Sequence, residues 1–320
     1  MRLSIVVPIF NEVDSIPFLK ERLRVLFNEL PYDYEIICVN DGSTDKSSAL
    51  IREWVDENHR ISLIEFSRNF GHQQAITAGL KETKGDCVVI LDADLQDPPE
   101  EIPKMVEKWK EGYKIIFAER LSRKEGVVRN LLFNLSYKIF AVVSDLPIVI
   151  NSGVYGLMDR VVVNHLLNMG ERNRFIPGMR GWIGFETTSI FYERQDRKAG
   201  KPRQTLRRLI TYSLNAVFSF SYKPIRLISF IGFAVTTFFF IYGVVLIVMR
   251  MFNVNVAWGF TTPTIAIFFV GGLLLLSNGI VGEYVARIYD EVKKRPLYII
   301  RRKISRKEDG NVIVDDFKEP

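Results

Sequence analysis

Two long apolar runs in the last third of the chain limit its fold more than any other feature. Residues 227–249 are 23 consecutive positions without a charge, which as a helix span roughly 35 Å at ~1.5 Å per residue. A second uncharged run of 18 residues covers 264–281. Buried core helices of a soluble protein are the alternative, but runs of this length leave no polar face toward water. We therefore predict two membrane spans.

Basic residues flank both runs on one side. Lys223 and Arg226 precede the first run, and segment 293–307 carries eight basic and no acidic residues. The loop between the runs, 250–263, holds a single Arg. Positive charge marks the cytosolic side, so both ends of the chain, and with them the functional part, are expected in the cytosol.

Residues 1–200 alternate short apolar runs with amphipathic stretches. Five runs are strand-like, and the stretches near 15–30, 45–58, 72–83 and 99–111 have helical periodicity. This alternation predicts an α/β layer with a mostly parallel sheet, whose ligands bind beyond the carboxyl ends of the strands. We divide the chain into a cytosolic α/β domain, an amphipathic segment, a two-helix transmembrane region and a basic cytosolic tail, over 1–200, 201–226, 227–286 and 287–320.

Two further stretches, 128–143 and 206–218, combine helical apolar periodicity with basic residues at their edges. Both fit helices on the membrane surface. Packing of the same stripes against the sheet is the alternative for each.

Few residues are available for several common chemistries. The chain has two cysteines and three scattered histidines, which excludes disulfide frameworks, zinc clusters and a Ser-His-Asp triad. A metal would therefore bind to carboxylates. No G-x-G-x-x-G follows the first strand-like run, which argues against a dinucleotide-dependent oxidoreductase.

The segment CVVILDADLQDPPE, residues 87–100, is the most informative for chemistry. Asp92 and Asp94 follow a buried strand, and side chains two apart on a strand point to the same face. Together with Gln96 they offer oxygen ligands suited to Mg²⁺ or Mn²⁺, with a diphosphate completing the shell. A polar turn before Asp97 is the alternative reading.

The second strand-like run ends in VNDGSTD, residues 39–45. Asp41 at this strand end is placed to accept a hydrogen bond from a nucleobase. Ser43 or Thr44 is a candidate helix N-cap, and for Asp45 we expect only stabilisation of the helix N-terminus.

Four motifs in this order, VVPIFNE (6–12), VNDGSTD (39–45), SRNFGHQQAITAG (67–79) and LDADLQDPPE (91–100), resemble glycosyltransferase family 2 of GT-A fold. With the paired spans, GEYVARIYDEVKKRPLY (282–298) and the basic tail, the chain resembles polyprenyl-phosphate glycosyltransferases, which include bactoprenol glycosyltransferases and dolichol-phosphate mannose synthase. The resemblance covers about residues 1–300. It implies a GT-A catalytic domain over 1–200, followed by two transmembrane helices.

The resemblance assigns roles position by position. It implies that the nucleotide pocket is formed by Pro8, Asn11, Glu12, Asp41 and Asp92. Metal and diphosphate are assigned to Asp92, Asp94 and Gln96, and the acceptor phosphate to Arg120, Arg129 and Arg203. Asp94 and Arg129 are the expected catalytic residues. Arg suits these positions because it binds phosphate in a bidentate manner and stays charged; an exposed charge at a helix start is the alternative for Arg129.

Two departures from the family pattern stand out. Gly153-Val154-Tyr155 replaces the family's Gly-Asp-aromatic sequence, so a carboxylate is missing. A phosphate acceptor whose second pKa is near 6 is already ionised at neutral pH and needs no general base. The family's Gly-x-Ser-Lys-aromatic loop appears as residues 200–204, GKPRQ, which keeps the basic residue but lacks the hydroxyl and the ring.

The expected activity is the inverting, metal-dependent transfer of one sugar from a nucleotide-sugar to undecaprenyl phosphate. The donor expected is UDP-glucose or UDP-N-acetylhexosamine, and the site is the cytosolic face of a bacterial inner membrane. The expected partners are the donor, the polyprenyl phosphate, the lipid bilayer and, by resemblance, further copies of the chain; no nucleic acid is expected. A catalytically impaired nucleotide-sugar-binding membrane subunit is the alternative.

Overall fold

A computed structural model describes residues 1–121, 152–193, 223–252, 261–307 and 309–316 of the chain. These residues fall into two compact units: one contains the strands and the segment from Arg295 onward, and the other contains the two long carboxyl-terminal helices.

The first part of the chain folds in the order that the sequence predicts. Strands and helices alternate as β1 (Arg2–Ile9), α1 (Ile16–Glu29), β2 (Asp33–Asn40), α2 (Ser47–Glu57), β3 (Ile61–Phe66), α3 (His72–Glu82), β4 (Cys87–Ile90), a 3₁₀ turn (Pro99–Glu101), α4 (Ile102–Lys110) and β5 (Ile115–Arg120). The predicted α/β class is confirmed.

Later elements complete the sheet. They are β6 (Ser152–Asp159), α5 (Arg160–Asn168), α6 (Ile176–Ile183), β7 (Thr187–Tyr192), the long helices α7 (Lys223–Met251) and α8 (Thr261–Lys293), and the strands β8 (Ile300–Arg306) and β9 (Val312–Asp316).

Within the described residues one sheet of nine strands has the order β7-β5-β6-β4-β1-β2-β3-β8-β9. Strands β1 to β4 pair in parallel, as predicted. The sheet is nevertheless mixed rather than mostly parallel, because β6 runs antiparallel to both β4 and β5, and β8 and β9 are antiparallel additions beyond β3. Local periodicity predicts strands but carries no signal for the direction in which a distant strand pairs.

The core lies on both faces of the sheet. Helix α1 buries Ile16, Leu19 and Leu23 at three- and four-residue spacing against the strands. Helix α3 packs Ala75 and Ala78 on the opposite face, together with β2 and β3. Helix α3 connects the parallel strands β3 and β4, so its amino-terminal end lies near the carboxyl ends of the central strands.

The helices α7 and α8 contain the two predicted spans. Apolar segments Ile225–Val245 and Phe269–Lys293 are long enough to cross a membrane, with mean hydropathies of 2.1 and 1.5, and no residue of either segment is buried. Phe233 and Leu275, for example, are more than 70% exposed. Core helices of a soluble protein would bury such side chains, so this exposure favours membrane spans over that alternative.

Residues 300–306, which the sequence analysis assigns to a basic tail, form β8 and pair with β3. Ile304 is buried in the core, whereas Lys303 contacts Glu82 and Arg302 contacts Asp316 through ion pairs. Alternation of apolar and basic residues is compatible with a strand whose basic side chains stay near the surface.

Candidate active site

The turns after β1 and β2 are tied together by hydrogen bonds. Asn11 adopts a left-handed backbone conformation with φ of 53°. Its side-chain oxygen accepts from the Thr44 N–H at 2.8 Å, and its own N–H donates to the Ser43 hydroxyl at 2.9 Å. The Glu12 N–H donates to the Ser47 hydroxyl at 3.0 Å. Asn11 and Glu12 thus shape the edge of the sheet where a ligand is expected.

Two of the predicted positions belong to the framework of this edge. Pro8 lies within β1, is buried and pairs in register with Val39. Asp45 accepts from the Ser47 N–H at 2.9 Å, at the first residue of α2. The expected N-cap at Ser43 or Thr44 is wrong, because α2 begins later. The bond from Ser47 agrees with the helix-stabilising role expected of Asp45, which also accepts from the Val13 N–H at 3.4 Å.

Asp41 is buried directly after β2 and holds the loop that follows β3. Its carboxylate accepts from the Phe70 N–H at 2.7 Å and from the Gly71 N–H at 3.0 Å. Its carbonyl accepts from the Asn69 side-chain amide at 3.2 Å. Burial raises the pKa of Asp41 above its ordinary value, and the two backbone N–H groups offset only part of this effect.

The loop 67–71 and the turn after β2 also touch backbone to backbone. Gly42 has φ of 67°, and a Cβ at this position would lie 2.4 Å from the backbone carbon of Arg68. Only glycine meets both conditions, since a side chain would be strained and would collide with the loop. Asp41 and Gly42 therefore fix the loop from two sides.

Asp92 and Asp94 lie in a turn beyond β4, which ends at Ile90. The sequence analysis expects these residues on the strand, but they belong instead to a local turn in which Leu95 has a φ of 60°. Alternation of burial continues through this turn all the same: Asp92, Asp94 and Gln96 are half-exposed. The Gln96 N–H donates to Asp94 at 3.1 Å.

His72, at the start of α3, lies between Asp41 and the turn that contains Asp92 and Asp94. Its Nε2 lies 2.8 Å from an Asp92 carboxylate oxygen, and the two side chains are 46% and 30% exposed. Desolvation lowers the pKa of His72, but the charges of Asp92, Asp41 and Asp94 outweigh it and raise the pKa above its ordinary value. The sequence analysis missed this residue; its one available signal was the position after Gly71 in the motif 67–79.

The donor atoms available for a metal are few. In the stretches that the structure describes, no three His, Cys, Asp or Glu side chains form a group able to hold a metal ion. Asp92 and Asp94 supply two half-exposed carboxylates, and Mg²⁺ is usually bound through one or two carboxylates plus substrate phosphates. The residues present therefore fit a cation shared with a phosphate-bearing ligand, and they do not fit a cation held by protein alone.

Arg120, at the end of β5, lies in a buried polar cluster with Asp97 and Tyr192. Its Nη2 is 3.4 Å from the Asp97 carboxylate and its Nε donates to the Tyr192 hydroxyl at 3.1 Å, while that hydroxyl donates to Asp97. Burial lowers the pKa of Arg120, but the charge of Asp97, with a contribution from Asp92, raises it above its ordinary value. Arg120 thus stays charged beside the acidic turn. The sequence did not predict Tyr192 or the role of Asp97.

The segment around Val154 packs beneath this cluster. Val154 is 7% exposed, and its carbonyl and that of Gly153 accept from the guanidinium of the fully buried Arg180 at 3.2 and 2.6 Å. The Tyr155 hydroxyl donates to the Pro98 carbonyl at 2.6 Å. Position 154 therefore lies on β6 next to Tyr155, which contacts the turn that contains Asp97.

A cleft of about 520 Å³ opens beside the loops after β1, β2 and β3. Phe10, Gly42 and Arg68 line it, but none of Pro8, Asn11, Glu12, Asp41 or the acidic turn does. The residues that line this cleft are therefore not those predicted for the nucleotide pocket. The half-exposed carboxylates Asp92 and Asp94 remain the better candidate for the nucleotide site.

Arg129 and Arg203 lie outside the described residues, as do the amphipathic stretches 128–143 and 206–218 and the loop 200–204. Their roles remain predictions.

Comparison with known proteins comes from a family model and from relatives. The model described as "Glycosyl transferase family 2" matches residues 4–167. The uncharacterized glycosyltransferase YkcC of Bacillus subtilis is 38% identical over 93% of this chain and 93% of its own length. The bactoprenol glucosyl transferase of Shigella phage SfII is 36% identical over 94% of this chain and 98% of its own length.

A solved structure of glucosyl-3-phosphoglycerate synthase from Mycobacterium tuberculosis, in complex with Mn²⁺, UDP-glucose and phosphoglyceric acid, matches more weakly. It is 19% identical with a TM-score of 0.43, over 68% of this chain and 77% of that chain. A TM-score this low does not support transferring its ligand positions.

Proposed function

Because this chain belongs to glycosyltransferase family 2, with a GT-A-like mixed sheet, we propose that it transfers one sugar from a nucleotide-sugar to a polyprenyl phosphate. The relatives named bactoprenol glucosyl transferases, which align over 94% of this chain, support this acceptor. The reaction is placed at the cytosolic face of a bacterial inner membrane, which α7 and α8 cross.

One observation supports the proposed position of the donor site. The half-exposed Asp92 and Asp94 lie next to the loop that Asp41 holds, and the contact between His72 and Asp92 joins the two. Half-exposed carboxylates beyond the carboxyl ends of parallel strands could bind a diphosphate through Mg²⁺ or Mn²⁺. Such a cation, when bound, neutralises charge on the departing diphosphate.

The chemistry is a single displacement. An oxygen of the lipid phosphate forms a bond to the anomeric carbon, and the bond from that carbon to the diphosphate breaks, so the nucleoside diphosphate leaves and the configuration inverts. The phosphomonoester is mostly dianionic at neutral pH, hence no base has to remove a proton. Arg120, together with Arg129 and Arg203, is assigned to the acceptor phosphate, because a guanidinium is charged at neutral pH and can bind phosphate through two N–H groups.

The test is a product analysis. Purified protein in detergent is incubated with Mn²⁺, undecaprenyl phosphate and a panel of UDP- and GDP-sugars, and the lipids are analysed by mass spectrometry. We expect a single glycosylated lipid with one donor, and loss of at least about 100-fold in rate in Asp94→Asn, which removes a carboxylate but little volume. Full activity of Asp94→Asn with unchanged metal dependence would contradict the assignment.

The same assay separates the enzyme from a binding subunit. We expect wild-type protein to be active without a carboxylate at position 154, because the acceptor is already ionised. If wild-type protein makes no lipid-linked sugar and Val154→Asp becomes active, the binding-subunit alternative is correct. If both are active with different donors, position 154 determines donor choice.

A further inference from the structure

The chain returns to the sheet immediately after the second membrane helix. Helix α8 ends at Lys293, and five residues later the ring of Tyr298 stacks on Phe66 at the end of β3, with centroids 5.0 Å apart and planes at 10°. Next to this stack the Ser67 N–H donates to the Ile299 carbonyl at 3.0 Å. Strand β8 follows from Ile300.

Phe66 and Ser67 begin the loop on which the candidate donor site depends. Phe66 contacts Phe70 edge to face, with centroids 5.7 Å apart and planes at 89°. Phe70 and Gly71 donate their N–H groups to Asp41. A continuous series of contacts therefore runs from Tyr298 through two phenylalanine rings to the buried carboxylate.

The aromatic stack is distinct from the contacts that hold the rest of β8. Register between β3 and β8 shifts between Glu65 and Phe66, at the end near the loop. Further along β8, Ile304 is buried in the core and Lys303 contacts Glu82 at 2.6 Å. Removing the Tyr298 ring therefore changes support of the loop while the remainder of the strand keeps its anchors.

We propose that Tyr298 is a positioning residue for the donor: its ring fixes Phe66 and Phe70, and through them the N–H groups that orient Asp41. This inference rests on the proposed function, since it assumes that Asp41 lies at the nucleotide site. It makes the segment directly beyond the second membrane helix a part of the donor site.

The experiment compares three variants of the full-length protein in detergent. Tyr298→Ala removes the ring, and Tyr298→Phe keeps it and removes only the hydroxyl. Ile304→Ala is the matched control, because it weakens β8 at a buried position away from the loop. Hydrogen exchange of the Phe70 and Gly71 amides and the affinity for UDP or GDP with Mn²⁺ are measured for each, together with the thermal unfolding midpoint.

We expect Tyr298→Ala to speed exchange of both amides and to weaken nucleotide binding by about tenfold each, near the upper range for loss of an aromatic pair. Tyr298→Phe is expected to stay within about twofold of wild type, because stacking needs the ring alone. Ile304→Ala is expected to lower the unfolding midpoint without a selective effect on either readout.

Three results would overturn the inference. Unchanged exchange in Tyr298→Ala would show that the ring does not hold the loop. Faster exchange with unchanged nucleotide affinity would show that the loop does not position the donor, and equal effects in Ile304→Ala would reduce Tyr298 to a general stabilising residue. If wild-type protein binds neither UDP nor GDP, the proposed function itself fails, and the exchange data alone show whether the ring supports the loop.

Discussion

Asp41, directly after β2, and Asp97, in the turn beyond β4, are both buried carboxylates of the same sheet. The partners that replace water around the two carboxylates are different. Asp41 accepts N–H groups of the Phe70–Gly71 backbone, whereas Asp97 lies against the guanidinium of Arg120 and the hydroxyl of Tyr192. Backbone dipoles fix the shape of a loop, and an ion pair fixes a charge. The comparison indicates that hydrogen bonds fix the loop geometry around Asp41, whereas an ion pair fixes the position of a charge at Arg120.

The largest expected effect comes from removing the carboxylate of the ion pair. Asp97→Ala leaves the 18% exposed Arg120 side chain without its buried counter-charge, which costs about 3–5 kcal/mol. Asp41→Ala leaves only neutral N–H groups without an acceptor and costs about 1–3 kcal/mol. Chemical unfolding of the detergent-solubilised protein measures the loss of unfolding free energy in each variant. Equal losses in the two variants would contradict the distinction between an ion pair at Asp97 and backbone hydrogen bonds at Asp41.

The next effect concerns the loop around Asp41. Gly42→Ala combines a left-handed backbone with a collision against Arg68, and we expect a loss of about 2–4 kcal/mol. Gly112 is the matched control, because it too has a positive φ, of 108°, but nothing lies within 4 Å of an added Cβ. Gly112→Ala should therefore show the cost of a positive φ without a collision, and we expect Gly42→Ala to lower the unfolding free energy more. Similar values for the two would mean that the loop moves aside at no cost.

A smaller effect is expected from the hydroxyl that joins Arg120 and Asp97. Tyr192→Phe removes one donor and one acceptor from this cluster and should cost about 1–2 kcal/mol. Tyr155→Phe, which loses only the bond to the Pro98 carbonyl, is the comparison. The sugar-transfer rate at limiting lipid phosphate should fall further in Tyr192→Phe, since Arg120 loses a restraint. A larger rate loss in Tyr155→Phe would argue against this role of the cluster.

The smallest effect is a dependence on pH. Burial raises the pKa of Asp41 above its ordinary 3.8, so ionising this group costs stability, and the cost is absent below that value and grows as pH rises through the raised pKa. The thermal unfolding midpoint of wild type relative to that of Asp41→Asn should therefore be highest below pH 3.8 and fall as the pH rises above this value.

Asp159 serves as a control, because its pKa is shifted in the direction opposite to that of Asp41. Burial raises its pKa, but hydrogen bonds from Lys114, Val161 and Trp109 outweigh this and lower it below 3.8. The thermal unfolding midpoint of wild type should exceed that of Asp159→Asn by its full amount above pH 3.8. This difference should be lost as the pH falls through the lowered pKa. Parallel trends for the two positions would contradict the assigned directions.

Residues close in sequence to their partners were predictable, and those with distant partners were not. The strands β1 to β5 and their helices follow from apolar runs and helical spacing, and the role of Asp45 follows from a helix start two residues away. Tyr192 bonds to Asp97 across 95 positions and His72 contacts Asp92 across 20. A single sequence contains no periodicity that links such pairs.

The strand β8 shows the same limit at the level of the fold. Its basic residues favour a solvated tail, and only pairing with β3, more than 200 positions away, makes it a strand. The prediction of a strand at Asp92 is wrong for a different reason. A local preference for strand continues through Asp92 in the sequence, but β4 already ends at Ile90 and the chain enters a turn in which Leu95 has a left-handed backbone.

The place of β8 in the sheet has a consequence for biosynthesis. Strand β3 is complete when the ribosome has made residue 66, but its outer edge stays uncovered until residue 306 has been synthesised, after both long apolar helices. An uncovered strand edge pairs readily with other chains. The nascent protein therefore carries an aggregation-prone edge while both long helices are being synthesised, and a chain stopped after the helices would keep it permanently.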